Sequence, residues 1–409
     1  MKLTSFPKDK IKILLLEGVS RSAVKNFNSE GYKNIEYLKG AMNEEELSKA
    51  IKDVHILGIR SKTQITKKII NAADKLVAVG CFCIGTNQVD LASATSNGVA
   101  VFNSPFSNTR SVAELVIAFS ILLIRKIPAK NQSLHDGVWL KDSRQSFELR
   151  GKTIGIIGYG HIGSQVSVLA ESLGLKVQYH DIEPKLPLGN ANSVKSLKEI
   201  LKTSDIVSLH VPGTPETKNM IDAKMLALMK KSAILLNLSR GDVVDIDALA
   251  DALKKKKING AAVDVFPVEP KTKGADFFSP LQNIPNVILT PHIGGSTEEA
   301  QHNIGLDASQ KLIRYLDSGS TVGSHTVPPL NLPANDKTHR ILHIHKNVPG
   351  VLSQINSRLS KSKINILGQF LNTNDKIGYV VFDVEQKASK KALQEMRKVS
   401  NTIKSRILY

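Results

Sequence analysis

Two series of short apolar runs, each alternating with amphipathic stretches, organise most of the chain. The first series lies at residues 11–16, 54–59, 76–81 and 99–102, and each run is closed by a Gly, Asn or charged residue. Runs of this length read as buried strands, and their alternation with helical stretches predicts a parallel sheet with crossover helices. The second series is more regular. It predicts strands at 153–157, 176–179, 206–210, 233–237, 261–265 and 287–289, with helical segments between them such as 245–253, the spacing of a doubly wound sheet. Residues 297–316 read as one long helix, stopped by Asp317-Ser318-Gly319. Ser, Thr, Gly, Pro and Asn then dominate residues 318–335, the composition of an interdomain linker. Beyond it, strand 340–345, helix 350–359, strands 364–371 and 378–384, helix 388–399 and strand 402–408 spell a βαββαβ module.

Composition narrows the class. The 409 residues suit two to four domains at about 100–200 residues each. Hydrophobic residues at 41% and charged residues at 22% exclude a disordered chain. The longest apolar segment, 112–124, carries Glu114. It is shorter than the roughly 18–20 residues of a membrane span, so a buried helix is expected there. The first residues lack the apolar stretch of a secretory signal, and a cytoplasmic protein is expected. Cys81 and Cys83 read as reduced core thiols on one strand face. Two cysteines make neither a disulfide framework nor a four-ligand zinc site, and no metal is expected. The formal net charge of +18 invites a nucleic-acid reading. The lysines are scattered, however, the densest run (254–257) ends a predicted helix, and no aromatics interleave for base stacking. The charge reads as a solvated surface whose field attracts anionic substrates, with neither nucleic acid nor membrane as partner.

The second series carries the first chemistry. Gly158-Tyr159-Gly160-His161-Ile162-Gly163 follows the strand at 153–157 directly and opens a helix that closes at Gly174. The next strand ends in Asp181, 18 residues after Gly163. This is the context a dinucleotide fingerprint requires. Gly158 permits the tight turn, Gly160 admits the pyrophosphate to the backbone, and Gly163 allows close packing of helix on strand. The helix N-terminus offers amides and positive potential to phosphate. Asp181 would accept from the adenosine ribose and repel a 2′-phosphate, which favours NAD over NADP.

Three further segments stand at the ends of strands in this domain. They are Asn237-Leu238-Ser239-Arg240-Gly241, the stretch Asp264-Val265-Phe266-Pro267-Val268-Glu269-Pro270, and Thr290-Pro291-His292-Ile293-Gly294-Gly295. Carboxyl ends of strands in such a sheet face the ligand crevice, so Arg240, Glu269 and His292 are expected to converge. Oxidising a secondary alcohol by hydride loss needs a base for the hydroxyl proton, and His292 suits neutral pH. Glu269 can fix the imidazole tautomer and stabilise the imidazolium. Arg240 presents a planar fork to a carboxylate. The expected substrate is a 2-hydroxy or 2-oxo acid.

With these residues in view, the chain resembles the D-isomer-specific 2-hydroxyacid dehydrogenase family. Nearly its whole length is similar to the phosphoglycerate-oxidising bacterial branch that ends in an ACT domain. The strings that carry the likeness are 58–61, 81–87, 103–114, 158–163 and 292–297. The resemblance implies a Rossmann-type nucleotide domain (109–295) inserted in a second, flavodoxin-like α/β substrate domain (1–108 and 296–317). A linker (318–338) and an ACT regulatory domain (339–409) would follow, with the substrate held between the first two domains. It implies oxidation of 3-phospho-D-glycerate to 3-phosphohydroxypyruvate, the entry to L-serine synthesis, with reduction of 2-oxoglutarate to 2-hydroxyglutarate as a side activity known in related enzymes. Arg60, Ser61 and Asn108 match positions that handle the far phosphate, with Lys39 and Lys62 as weaker additions. His161, Ile162, Leu238, Ser239, Arg240, Asp264, His292, Ile293, Gly294 and Gly295 match NAD contacts.

In the C-terminal module, His345 and Asn347 match effector positions, and Asn365 matches a partner reached across a two-fold interface. The implied effector is L-serine, acting by opposing closure of the enzyme rather than by competition. Pro328-Pro329, Pro333 and Asn335-Asp336-Lys337 stand where a Gly pair would give a free hinge. Residues 113–141, with the lone Trp139, match one pairing surface and the ACT domain another, and two different two-folds imply a homotetramer. Two alternatives stay open: a glycerate or lactate dehydrogenase of the same family, and an NAD-sensing corepressor or scaffold on the same fold.

Overall fold

The computed structural model describes residues 7–270, 274–333 and 337–408. The chain forms two compact units, one of Asn108–Ala300 and one of Met1–Ser107 with Gln301–Tyr409.

The second of these opens with β1 (Ile13–Leu15), β2 (Ile35–Tyr37), β3 (Ile56–Ile59), β4 (Ala78–Cys81) and β5 (Ala100–Asn103). They make a parallel sheet in the order β2-β1-β3-β4-β5, the flavodoxin-like order. Four of the five coincide with apolar runs. The exception, β2, is a three-residue edge strand with Glu36 at its centre, too short and too polar to show a period. Cys81 ends β4, fully buried, and burial pushes its thiol pKa up. Cys83 lies beyond the strand, its Sγ turned to the carbonyls of Arg60 and Gly85, so the two thiols do not share a strand face.

The other unit holds β6 (Thr153–Ile157), β7 (Lys176–His180), β8 (Asn192–Ser193), β9 (Ile206–Leu209), β10 (Ile234–Asn237), β11 (Gly260–Val263) and β12 (Val287–Leu289). All are parallel, in the order β12-β11-β10-β9-β6-β7-β8. The chain runs outward from β6 through β7 and then crosses to β9 on its other side, so the topological switch lies between β6 and β9. The apolar segment at 112–124 forms most of helix Thr109–Ile124, which buries Val112, Val116, Phe119 and Leu123 and packs on helix His161–Ser172. That helix stops at Arg125. Lys126 adopts φ +53°, and Pro128 helps start a second helix, Ile127–His135.

Helix Glu298–Ser318 returns the chain to the first sheet, and its Gly305 sits where a Cβ would strike Ser22 Oγ. The stretch read as a linker is packed rather than free. Thr321, Thr326 and Val327 are buried, Thr321 Oγ1 donates to Pro328 O, and Thr326 Oγ1 donates to Val99 O. Its small polar residues satisfy buried backbone, a use that composition alone does not reveal. Asn335 and Asp336 lie outside the described residues.

The last sheet comprises β13 (His339–Lys346), β14 (Ile366–Thr373), β15 (Ile377–Val384) and β16 (Thr402–Leu408), antiparallel in the order β14-β15-β13-β16. With helices Val351–Lys361 and Ser389–Arg397 this is the βαββαβ module. One face packs under those helices through Ile341, Val380 and Phe382. The other face, with Leu342, Ile344 and Tyr379, shares a core with Ile13, Phe102 and Tyr315. Arg340, almost fully buried, pairs bidentately with Asp383 at 2.8 and 3.0 Å and also donates to the carbonyls of Ser318 and Pro333.

Candidate active site

The fingerprint turn has the geometry its glycines anticipate. Gly158 adopts φ +89°, and a Cβ there would lie 2.6 Å from His210 O. A Cβ on Gly163 would lie 2.2 Å from Gly158 O and 3.0 Å from Ile156 on β6, so helix and strand touch at that point. Around Gly160, by contrast, nothing stands within 4 Å of such a Cβ. The middle glycine thus borders open space at the N-terminus of helix His161–Ser172, where the first amides face outward. Two tight glycines and one open one fit a dinucleotide's pyrophosphate. Asp181 follows the end of β7. Its Oδ2 accepts from Tyr159 N at 2.7 Å and its Oδ1 from Glu183 N at 3.0 Å, which holds the carboxylate beside the turn with lone pairs to spare.

The three chemical segments follow three adjacent strands. After β10, the buried Asn237 shapes the turn. Its Oδ1 accepts from Ser239 N and Oγ, and its Nδ2 donates to Arg240 O at 3.0 Å. Leu238 and Ser239 stay buried while the Arg240 side chain emerges. Gly241 is obligatory, because a Cβ would come within 2.0 Å of the Phe266 backbone in the loop after β11. In that loop Glu269 Oε1 accepts from Phe266 N at 3.0 Å, and Oε2 bonds His292 Nδ1 at 2.8 Å.

His292 itself follows β12 and sits at φ +54°. Asp264 explains how a histidine is kept in that left-handed conformation. Its carboxylate, 1% exposed, accepts from Thr290 Oγ1, Ile293 N and Gly294 N at 2.6–2.8 Å and so fixes the backbone on both sides of the imidazole. Gly295 then passes so close to Asn108 that a Cβ would lie 2.1 Å from Nδ2. Asn108 is 7% exposed and its buried Oδ1 has no partner among the described residues. So enclosed, it offers little surface to a substrate and serves as a floor under this turn. Asn237 and Thr290 were not singled out by sequence. Both lie inside the strings that were, but only the fold shows what they hold.

Arg240, Glu269 and His292 line one cavity of about 360 Å³ with Asp242 and Phe266. The Glu269 bond raises the His292 pKa above the ordinary imidazole value, against a smaller opposing effect of burial and of the nearby Arg240 charge. Burial pushes the Glu269 carboxyl up, but the bonds from His292 and Phe266 N and the charges of His292 and Arg240 together outweigh it and hold it low. The result is an ionised carboxylate that fixes the proton on Nδ1 and turns Nε2 outward. Arg240 has no acidic partner among the described residues, and its Nη1 donates only to Ser239 O.

In the other unit, Arg60 ends the run of β3 and is followed by the exposed Ser61 and Lys62. In the C-terminal module His345 is buried, with Gly378 so close that a Cβ would strike its ring. Asn347 follows β13 and is exposed, and Asn365 precedes β14 and is also exposed. His345 pairs with Gly378, whereas Ile366 pairs with Val384 at the far end of β15. Within one chain, therefore, Asn347 and Asn365 stand at opposite ends of the sheet. The described residues contain no cluster suited to a metal ion and no helix long and apolar enough to cross a membrane.

Known proteins are similar to this chain in sequence and fold. Residues 117–294 match the NAD binding domain of the D-isomer specific 2-hydroxyacid dehydrogenases, and residues 341–404 match an AHAS small subunit-like ACT domain. The chain is 54% identical to the D-3-phosphoglycerate dehydrogenase of Haemophilus influenzae over 99% of both chains. It is 54% identical to that of Escherichia coli over 100% of both. A solved D-lactate dehydrogenase from Sporolactobacillus, 30% identical, superposes with a TM-score of 0.68 over 79% of this chain and 100% of its own. The chain belongs to the D-isomer-specific 2-hydroxyacid dehydrogenases, an NAD-dependent family of oxidoreductases, and within it to the D-3-phosphoglycerate dehydrogenases.

Proposed function

We infer that the protein oxidises 3-phospho-D-glycerate to 3-phosphohydroxypyruvate, the first step of L-serine biosynthesis, and catalyses the reverse reduction. The observation that carries this is the joint lining of one cavity by Arg240, Glu269 and His292 at the ends of β10, β11 and β12. NAD, when bound, supplies the hydride acceptor. His292 Nε2 takes the C2 hydroxyl proton, and Glu269 steadies the imidazolium so formed. Arg240 grips the carboxylate with its fork and polarises the neighbouring C2 oxygen. Gly158, Gly160, His161, Ile162, Gly163 and Asp181 hold the pyrophosphate and ribose, and Leu238, Ser239 and Ile293 to Gly295 flank the nicotinamide end. We assign the far phosphate to Arg60 and Ser61, and to Asn108 a positional part under Gly295. The ratio of kcat/KM for 3-phosphohydroxypyruvate to that for hydroxypyruvate tests the substrate. A strong preference for the phosphorylated acid is expected, and equal rates would favour a glycerate or lactate type.

Glu269→Gln should keep the active site assembled but remove the charge that raises the His292 pKa. Reduction needs the protonated imidazole and fails as pH rises through that pKa, so its alkaline limb should move to lower pH and its active range should narrow. An unchanged pH–rate profile would contradict the pairing.

The C-terminal module is assigned as a regulatory site for L-serine, with His345 and Asn347 of one chain and Asn365 of another. The opposite placement of Asn347 and Asn365 supports a site completed across a two-fold axis. A second pairing surface near Trp139, which is 77% exposed, supports a homotetramer. Millimolar serine should lower turnover without competing with phosphoglycerate. No inhibition, or purely competitive inhibition, would remove this assignment. We place the enzyme in the cytoplasm.

A further inference from the structure

The loop after β3 carries Arg60, Ser61 and Lys62 but has no regular structure of its own between Ile59 and the isolated bridge at Ile65. Two buried side chains from neighbouring strand ends hold it. Glu17, just past β1, is 8% exposed and sits at φ +59°, an uncommon conformation for a glutamate. Its Oε2 accepts from Lys62 N at 2.9 Å and its Oε1 from Thr63 N at 2.8 Å. Its own backbone is fixed in turn, because Glu17 N donates to Gly40 O at 2.8 Å and Gly18 N to Leu38 O at 3.1 Å. Gln88, past β4 and 3% exposed, approaches from the other side. Its Nε2 donates to Arg60 O at 2.6 Å and also reaches Gly85 O and Cys83 Sγ.

We propose that Glu17 and Gln88 are positioning residues for phosphate recognition, clamping the Arg60-Ser61-Lys62 loop from its two ends. This rests on the assignment of Arg60 and Ser61 to the substrate phosphate. The choice of a carboxylate needs explaining, since a negative charge under a loop that receives a phosphate dianion opposes binding. The geometry supplies the reason. Two successive amides point at one side chain, and only a carboxylate offers each of them an oxygen with no competing donor. A glutamine there would meet one amide with its own N–H. Gln88 faces a carbonyl and requires the opposite, a donor. The clamp also ties the loop to the turn at Leu38–Gly40, so Lys39 is held in register with Arg60.

The test compares kinetic constants of the full-length enzyme for 3-phosphohydroxypyruvate and hydroxypyruvate in three variants. Arg60→Ala should raise KM for the phosphorylated substrate alone. Glu17→Gln and Gln88→Leu should each do the same by roughly tenfold, the size of a lost hydrogen bond to a charged or buried group. In both, kcat, KM for NADH and KM for hydroxypyruvate should stay within about twofold, a split that general loss of folding would not produce. If Arg60→Ala raises that KM while Glu17→Gln and Gln88→Leu leave it unchanged, the clamp is wrong and the phosphate assignment stands. If Arg60→Ala has no effect, the phosphate assignment itself fails. Should Glu17→Gln not fold, Gln88→Leu decides alone, because it removes only neutral bonds, chiefly the one to Arg60 O, and changes no charge.

Discussion

Replacing His292 by Gln is expected to lower kcat roughly a thousandfold, about 4 kcal/mol of barrier, while NAD affinity stays within about twofold. Glutamine approximates the size of the imidazole but has no group that takes a proton near neutral pH. The loop itself should survive the change. Asp264 holds it through Thr290 Oγ1, Ile293 N and Gly294 N, none of which involves the imidazole ring. The bond lost is the one to Glu269 Oε2, and Glu269 retains its second anchor on Phe266 N. Steady-state kinetics with nucleotide titration by fluorescence separates the two effects. Turnover near that of the parent enzyme would remove His292 from the mechanism.

Arg240→Lys should lower kcat/KM for the phosphorylated substrate by roughly a hundredfold, about 3 kcal/mol. Lysine keeps the charge and loses the fork, so a carboxylate held at two points would be held at one. The turn below should be indifferent, since Asn237 bonds the backbone carbonyl of residue 240 and not its side chain. Both kcat and KM should suffer, because the same guanidinium anchors the carboxylate in the ground state and polarises the C2 oxygen in the transition state. A change confined to KM would leave Arg240 as a binding group only. No shift in the His292 pKa is expected, as the positive charge that lowers it is retained.

The reach of the sequence follows the range of the forces involved. The strands β6, β7 and β9 to β12 are set locally by apolar runs, and the fingerprint turn by the spacing of its glycines after β6, so all of these are readable in order. The edge strands β2 and β8 are not, because three residues with the polar Glu36 among them, and two residues that are both polar, are too few to show a period. Trp139 and its surroundings were legible only through resemblance, and the break at Lys126 in the preceding helix shows in sequence just as Pro128. The stretch at 318–333 looks like a flexible connection by composition. It is packed because Thr321 folds the stretch back on Pro328 O and Thr326 meets Val99 O, which only the tertiary fold brings to it. In the site, Arg240, Glu269 and His292 could be named from strand ends. The supporting roles could not: Asp264 is legible only as a cofactor contact, and Asp264, Asn237, Glu17 and Gln88 act largely on backbone atoms, to which no spacing rule points. Asn108 shows the converse, a polar residue in a telling string that the fold turns inward beneath Gly295.

The central claim is that one imidazole, tuned by Glu269, exchanges the substrate proton in both directions. The most direct test is the pH dependence of kcat/KM measured for phosphoglycerate oxidation and for 3-phosphohydroxypyruvate reduction on the same enzyme. Oxidation should rise with pH, and reduction should fall, through a single shared pKa above that of a free imidazole, because the neutral ring is the base and the charged ring the acid. Profiles that move in the same direction, or that break at unrelated pH values, would contradict it.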